Sequence, residues 1–223
     1  MYSIDLDRFT IEEFHEILLS IDLLPGRRIL LDNRVRIFNE LKIREISSLG
    51  DLQKFLKKKA DYHLLSKELS VEKEYLIVLN REINSYVSKP LPLEKLDTFS
   101  NQEIAALALN GIRNTKELYE SCSKREKRKK VASNLKLSES KIILALQLID
   151  LLRVNGIGPV YAKILNEIGI KSKDEYLLLG SEEIVNMVHE VNKQKEFTKV
   201  RLGIKDVEYC KRFCKKLDSD IDW

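Results

Sequence analysis

The stretch Ile149-Asp150-Leu151-Leu152-Arg153-Val154-Asn155-Gly156-Ile157-Gly158-Pro159-Val160-Tyr161-Ala162-Lys163-Ile164-Leu165 decides the fold. Apolar residues at helical spacing run up to Gly156-Ile157-Gly158 and resume after it, so two helices meet at a tight turn. Pro159 falls at the first position of the second helix, where its missing N–H is harmless. Ala162 is small and lets the helices approach closely. Leu152, Val154, Ile157, Ile164 and Leu165 supply the apolar seam.

The same periodicity extends over almost the whole chain, and no segment alternates at period two. Only 8 Gly and 4 Pro among 223 residues also argue against a turn-rich β protein. Thr10-x-x-Glu13, Ser48-x-x-Asp51, Ser100-x-x-Glu103 and Ser172-x-x-Glu175 read as capping boxes, and Ser70, Ser138 and Ser181 as further N-caps. The expectation is an all-α protein of about a dozen short helices, without a sheet. Lys89-Pro90-Leu91-Pro92 should stop the helix through Tyr75–Val87 and separate an N-terminal helical domain, 1–89, from a C-terminal one, 93–223.

The chain repeats itself. Gly111-Ile112-Arg113, with Glu117 beyond, matches Gly169-Ile170-Lys171, with Glu175 beyond. A third copy, Leu41-Lys42-Ile43-Arg44 followed by Ser48-x-x-Asp51, lacks the glycine. Glycine at the end of a helix accepts left-handed geometry without strain, and Asn114 or Ser172 then caps the next helix.

Residues 152–165 resemble the helix-hairpin-helix motif at every small-residue position. In DNA-binding members of that family the turn's backbone N–H groups hold a phosphate, aided by the helix dipole. That resemblance implies a phosphate site at Gly156, Ile157, Gly158 and Val160. Such members usually carry Lys or Arg where this chain has Val160; the nearest cations are Lys163, one turn on, and Arg153. A hairpin kept only as a tight helix corner is the alternative. Residues 96–112 look like a degenerate second hairpin, with Thr98 and Ser100 in place of the glycines. Leu24-Pro25-Gly26-Arg27-Arg28 reads as a third, with Arg27 and Arg28 as candidate phosphate contacts.

Most of the chain also resembles an uncharacterised bacterial and archaeal family with tandem, partly degenerate helix-hairpin-helix (SAM-like) repeats, catalogued as a domain of unknown function. The resemblance lies in Leu24–Arg27, Arg81–Tyr86 with Lys89-Pro90, Asn155–Ala162, Val191-Asn192 and Gly203–Cys210. It implies an all-helical fold and brings no established activity.

The net charge of +4 is an average. Lys124-Arg125-Glu126-Lys127-Arg128-Lys129-Lys130 holds six basic residues against one acid and reads as a phosphate-facing patch. Lys57-Lys58-Lys59 reads as a solvated face, and Asp218, Asp220, Asp222 and Trp223 as a disordered acidic tail.

Several classes are excluded. No apolar run approaches the roughly 20 residues of a membrane span. Asp5 and Asp7 precede any apolar run, unlike a signal peptide. Three cysteines cannot build a disulfide framework, so a reducing, cytoplasmic setting is expected, with Cys210 and Cys214 as small core residues. His15, His63 and His189 are isolated, and nucleotide-loop, zinc-protease and serine-hydrolase motifs are absent. Asp174 sits roughly where glycosylases of the hairpin superfamily place a catalytic acid, yet it lies at a helix start. The expected function is therefore non-enzymatic, sequence-nonspecific binding of duplex DNA through phosphates, with no cofactor or metal. A helical scaffold for a protein partner is the alternative.

Overall fold

The computed structural model describes residues 1–58 and 62–223. These residues form helices and turns without a strand; Thr10 with Ser48, and Pro92 with Asn114, make isolated bridges. The chain divides into two compact units. One is Asp5–Val87; the other joins Met1–Ile4 to Ser88–Trp223.

The Asp5–Val87 unit holds α1 (Ile11–Ser20), α2 (Arg34–Ile43), α3 (Leu49–Lys58), α4 (Tyr62–Glu68) and α5 (Lys73–Ser85). Its core gathers Phe14, Leu30, Leu49, Leu52, Leu65, Leu76 and Ile83, all fully buried. Leu24–Arg28 does not form a hairpin here. Pro25–Leu31 winds as a 3-10 helix, because Pro25 starts a tight turn and Leu30 is drawn into the core.

The second unit holds α6 (Asn101–Leu109), α7 (Thr115–Cys122), α8 (Arg125–Leu135), α9 (Glu139–Leu152), α10 (Pro159–Glu167), α11 (Lys173–Leu178), α12 (Ser181–Lys195) and α13 (Ile204–Cys214). α9 is central and packs on α7, α8 and α10. Its buried residues, from Ile142 to Leu151, occupy several faces, which explains a helix apolar nearly all round. Cys122, Cys210 and Cys214 are free and buried in this unit.

Local rules account for most helix ends. Thr10 and Ser100 form complete capping boxes with Glu13 and Glu103, and Ser48 exchanges bonds with Asp51. Four expected caps differ: Ser70, which ends α4 instead, and three others. Ser138 precedes α9 without a side-chain bond, and Ser181 lies inside α12, whose cap is Gly180. Ser172 accepts the Glu175 N–H, but the Glu175 carboxylate takes the N–H of Lys171 instead of Ser172. Asn114 and Glu117 do the same with Arg113, so the two joints share one geometry.

Gly111 and Gly169 end their helices at φ 80° and 91°. In each case the following isoleucine N–H bonds back five residues, Ile112 to Leu107 and Ile170 to Leu165. The third copy has the same bonds three residues further on than Ile43: Ile46 N–H reaches Leu41, and Glu45, at φ 59°, holds the glycine position. Ser70 likewise ends α4 at φ 50° with Val71 bonding back to Ser66, so it does not cap α5. Lys136 ends α8 in the same way. Burial of the following residue, Ile46 after Glu45 and Leu137 after Lys136, offsets the roughly 1 kcal/mol of left-handed strain in a residue with a Cβ.

The acidic tail is ordered. Ile221 is buried, Asp222 N–H donates to the Ser123 carbonyl at 2.9 Å, and the Tyr119 hydroxyl donates to Asp220. Charge alone suggested a solvated end, whereas Ile221 supplies the apolar anchor.

Candidate nucleic-acid interface

α9 and α10 meet at the corner Arg153–Gly158. Ile157 is buried beneath it, while Gly156 and Gly158 are exposed. The two glycines have different reasons. Gly156 sits at φ 94°, and a Cβ there would lie 2.7 Å from Cys210 Sγ and 3.2 Å from the Tyr209 ring. Packing against α13 therefore demands glycine, and the Tyr209 hydroxyl fixes the contact by donating to Asn155 Oδ1 at 2.8 Å. Gly158 has an ordinary φ of −88°, and a Cβ there would meet nothing within 4 Å.

Gly158 is also the N-cap of α10 and offers no side chain to its first turn. Gly180 and Gly203 cap helices too, but Glu183 and Asp206 reach back to their N–H groups. The N–H groups of Gly158 and Val160 have no such partner among the described residues. They stand at the positive end of the helix dipole.

Beside this corner lies a cavity of about 410 Å³. Gly156, Val160 and Ile164 line it from α10 and the corner, Tyr209 and Cys210 from α13, and Thr198, Val200, Arg201 and Leu202 from the loop between α12 and α13. The loop is pinned by α12: Asn192 brackets Thr198 through two bonds, and His189 Nε2 lies 2.9 Å from the Leu202 carbonyl. Val160 and Val200 are 48% and 79% exposed at its mouth. Lys199 and Arg201 on this loop, and Lys205 in the first turn of α13, are exposed and have no ion-pair partner among the described residues.

The cations expected to serve the corner are largely engaged elsewhere. Lys163 pairs with Asp97 and holds its carboxyl below the usual range. Arg153 is wholly buried; it donates to Asp150, to the Met1, Tyr2 and Asp218 carbonyls, and lies over the Tyr119 ring. Desolvation raises the Asp150 pKa despite that partner.

Within the basic segment, Arg128 is 1% exposed and cannot face a phosphate. Its guanidinium donates to the Asp222 and Cys122 carbonyls, because the ordered tail closes over it. Lys124 pairs with Asp222 at 3.0 Å. Arg125, Lys127, Lys129 and Lys130 remain exposed. Arg128 Nε lies 3.5 Å from Glu139 in the first turn of α9, whereas the glycine corner follows its last turn. About 20 Å of helix separates them. No hydrogen bond or ion pair joins 124–130 to 156–160 among the described residues.

In the other unit, Arg27 pairs at 2.7 Å with Glu82, whose side chain is wholly buried, so Arg27 serves the core. Burial raises the Glu82 pKa against that pairing. Arg28 is exposed and donates to the Leu23 carbonyl. Lys57 donates to Gln53, and Lys59 lies outside the described residues. Asp174 accepts from Lys173 at 2.7 Å and from Ser219 at 2.9 Å. No group of His, Cys, Asp and Glu among the described residues is arranged to hold a metal, and no described helix is long and apolar enough to cross a membrane.

Sequence reasoning missed the 193–205 segment. Its signal was present, since Lys193, Lys195, Lys199, Arg201 and Lys205 face one acid, Glu196. They are spaced out by apolar residues and do not form a run. Lys195 pairs with Glu167 and Lys193 with Glu190, which leaves the last three.

Fold and corner together define an all-helical protein of short, individually capped helices with an open helix N-terminus beside an apolar cavity. The chain belongs to the family described as Domain of unknown function (DUF4332), whose model matches residues 97–216 and so includes the corner and the cavity. No curated protein and no solved structure matches it.

Proposed function

We propose that the protein is a non-enzymatic, sequence-nonspecific DNA-binding protein, and that Gly156–Val160 acts as a helix-hairpin-helix turn holding a backbone phosphate. The observation that carries this reading is Gly158. Neither backbone strain nor packing requires glycine there, so the missing side chain benefits whatever approaches from outside. An anion suits the open N–H groups of Gly158 and Val160, and Arg201, exposed in the lining of the adjacent cavity, supplies a cation, with exposed Lys199 and Lys205 near it in sequence. Arg125, Lys127, Lys129 and Lys130 add a separate electrostatic contact in place of the six-cation patch. Contacts of this kind position a duplex without reading its sequence.

The test is anisotropy titration of a fluorescent duplex over a range of salt. Log affinity should fall linearly with log salt, with a slope of about −0.9 per phosphate neutralised. Gly158→Ser should weaken binding about tenfold, roughly the worth of one charge-assisted hydrogen bond, because its hydroxyl occupies the donors. Salt-independent, micromolar-or-weaker binding would overturn the reading.

The cavity favours a second reading, a scaffold for a protein partner, since exposed Val160 and Val200 flank an apolar hollow. Pull-down with Val200→Asp as the control separates the two.

A further inference from the structure

We infer that the cavity beside the glycine corner receives an unpaired nucleobase, so that the protein prefers DNA carrying a bulged or overhanging nucleotide to a continuous duplex. This rests on the phosphate reading above and extends it from backbone to base.

Three observations converge. The cavity and the corner share residues: Gly156 and Val160 belong to both, so a nucleotide whose phosphate sits on the Gly158 and Val160 N–H groups has the cavity adjacent. Its volume, about 410 Å³, falls within the range of small-molecule sites, and a single base fits. Its lining is also mixed in the way a base needs. Val160, Ile164 and Leu202 give apolar faces and Tyr209 an aromatic one, while Thr198, Arg201 and Asp206 place polar groups at the rim.

The site is built to persist. Gly156 lets α13 close against the corner, Tyr209 is tied to Asn155, and His189 and Asn192 hold the opposite loop. Arg201 lines the cavity, with exposed Lys199 on the same loop and exposed Lys205 in the first turn of α13, so cations that would meet the flanking phosphates lie on and next to that wall. A paired base cannot enter. An unpaired one has already lost its stacking partner and enters at low cost.

The experiment uses the full chain and two short DNA duplexes, one continuous and one with a single unpaired fluorescent adenine analogue. The unpaired probe should bind about tenfold tighter, as one stacked base warrants. The analogue's emission should change on binding. Val200→Asn with Leu202→Asn should abolish that preference and leave continuous-duplex affinity within about twofold, with thermal unfolding confirming that the variant is folded.

Equal, salt-dependent affinity for both probes would overturn the inference and leave the phosphate reading standing. Salt-independent, micromolar-or-weaker binding of both would overturn both. Displacement of the analogue by an acidic peptide bearing a tryptophan, with the continuous duplex still bound, would assign the cavity to a protein partner and overturn the base.

Discussion

Two corners in the second unit start from similar sequence and end with different chemistry. Val154–Gly158 leads into α10, and Leu96–Ser100 leads into α6. Both place a buried apolar residue just before the cap, Ile157 in one and Phe99 in the other. At Ser100 the hydroxyl takes the Glu103 N–H, and the Glu103 carboxylate returns to Ser100 N–H at 2.7 Å; that carboxylate is also held by Lys141. The α6 terminus is thus closed by its own chain. At Gly158 no side chain among the described residues closes it. The difference teaches that one local architecture can have its N–H donors closed by its own chain or left open, according to what stands at the cap and three residues later.

The comparison can be broken at five points. The largest effect is expected for Gly156→Ala. Its Cβ would overlap Cys210 Sγ and occupy left-handed backbone, so stability should fall by about 2–4 kcal/mol in urea denaturation. Thr98→Gly in the other corner should change it by less than about 1 kcal/mol. Next, Ser100→Ala opens the closed cap and should cost about 1 kcal/mol.

Gly158→Ser makes the opposite change: it closes the open cap. It should raise stability by a few tenths of a kcal/mol while weakening DNA, so stability and binding move in opposite directions. A stabilised variant with undiminished binding would show that the two corners are functionally alike.

The smallest effect concerns the ion pair that links the corners. Lys163 depresses the Asp97 pKa below its ordinary 3.8. The pair's stabilisation is therefore fully present above that value and is lost as pH falls through the lower folded one. An NMR titration of the Asp97 carboxyl should show its pKa rising toward the ordinary value in Lys163→Ala.

Much of the architecture was legible because it is local. Apolar periodicity, the Thr10 and Ser100 boxes and the glycine ends at 111 and 169 each depend on residues within a turn of one another. Glu45, Ser70 and Lys136 escaped because residues with a Cβ rarely take left-handed geometry, and burial of the next apolar residue is a tertiary fact. The site was legible in part. Gly156–Gly158 stood out by spacing, but the cavity did not, since it needs α10, α12, α13 and a loop about 40 residues beyond the turn.

By itself the sequence determined the helices, those ends that carry a capping box or a glycine, and the glycine corner, because caps, turns and amphipathic faces are short-range chemistry. Only the tertiary structure decided which charges are available. Arg128 and Arg153 read as surface cations, yet a buried guanidinium needs several carbonyl acceptors at once, and chain segments up to 152 residues away supply them. Arg201 gained importance for the reverse reason: a cation on a pinned loop lines the cavity that Gly156 and Val160 also line, about 40 residues earlier in the chain.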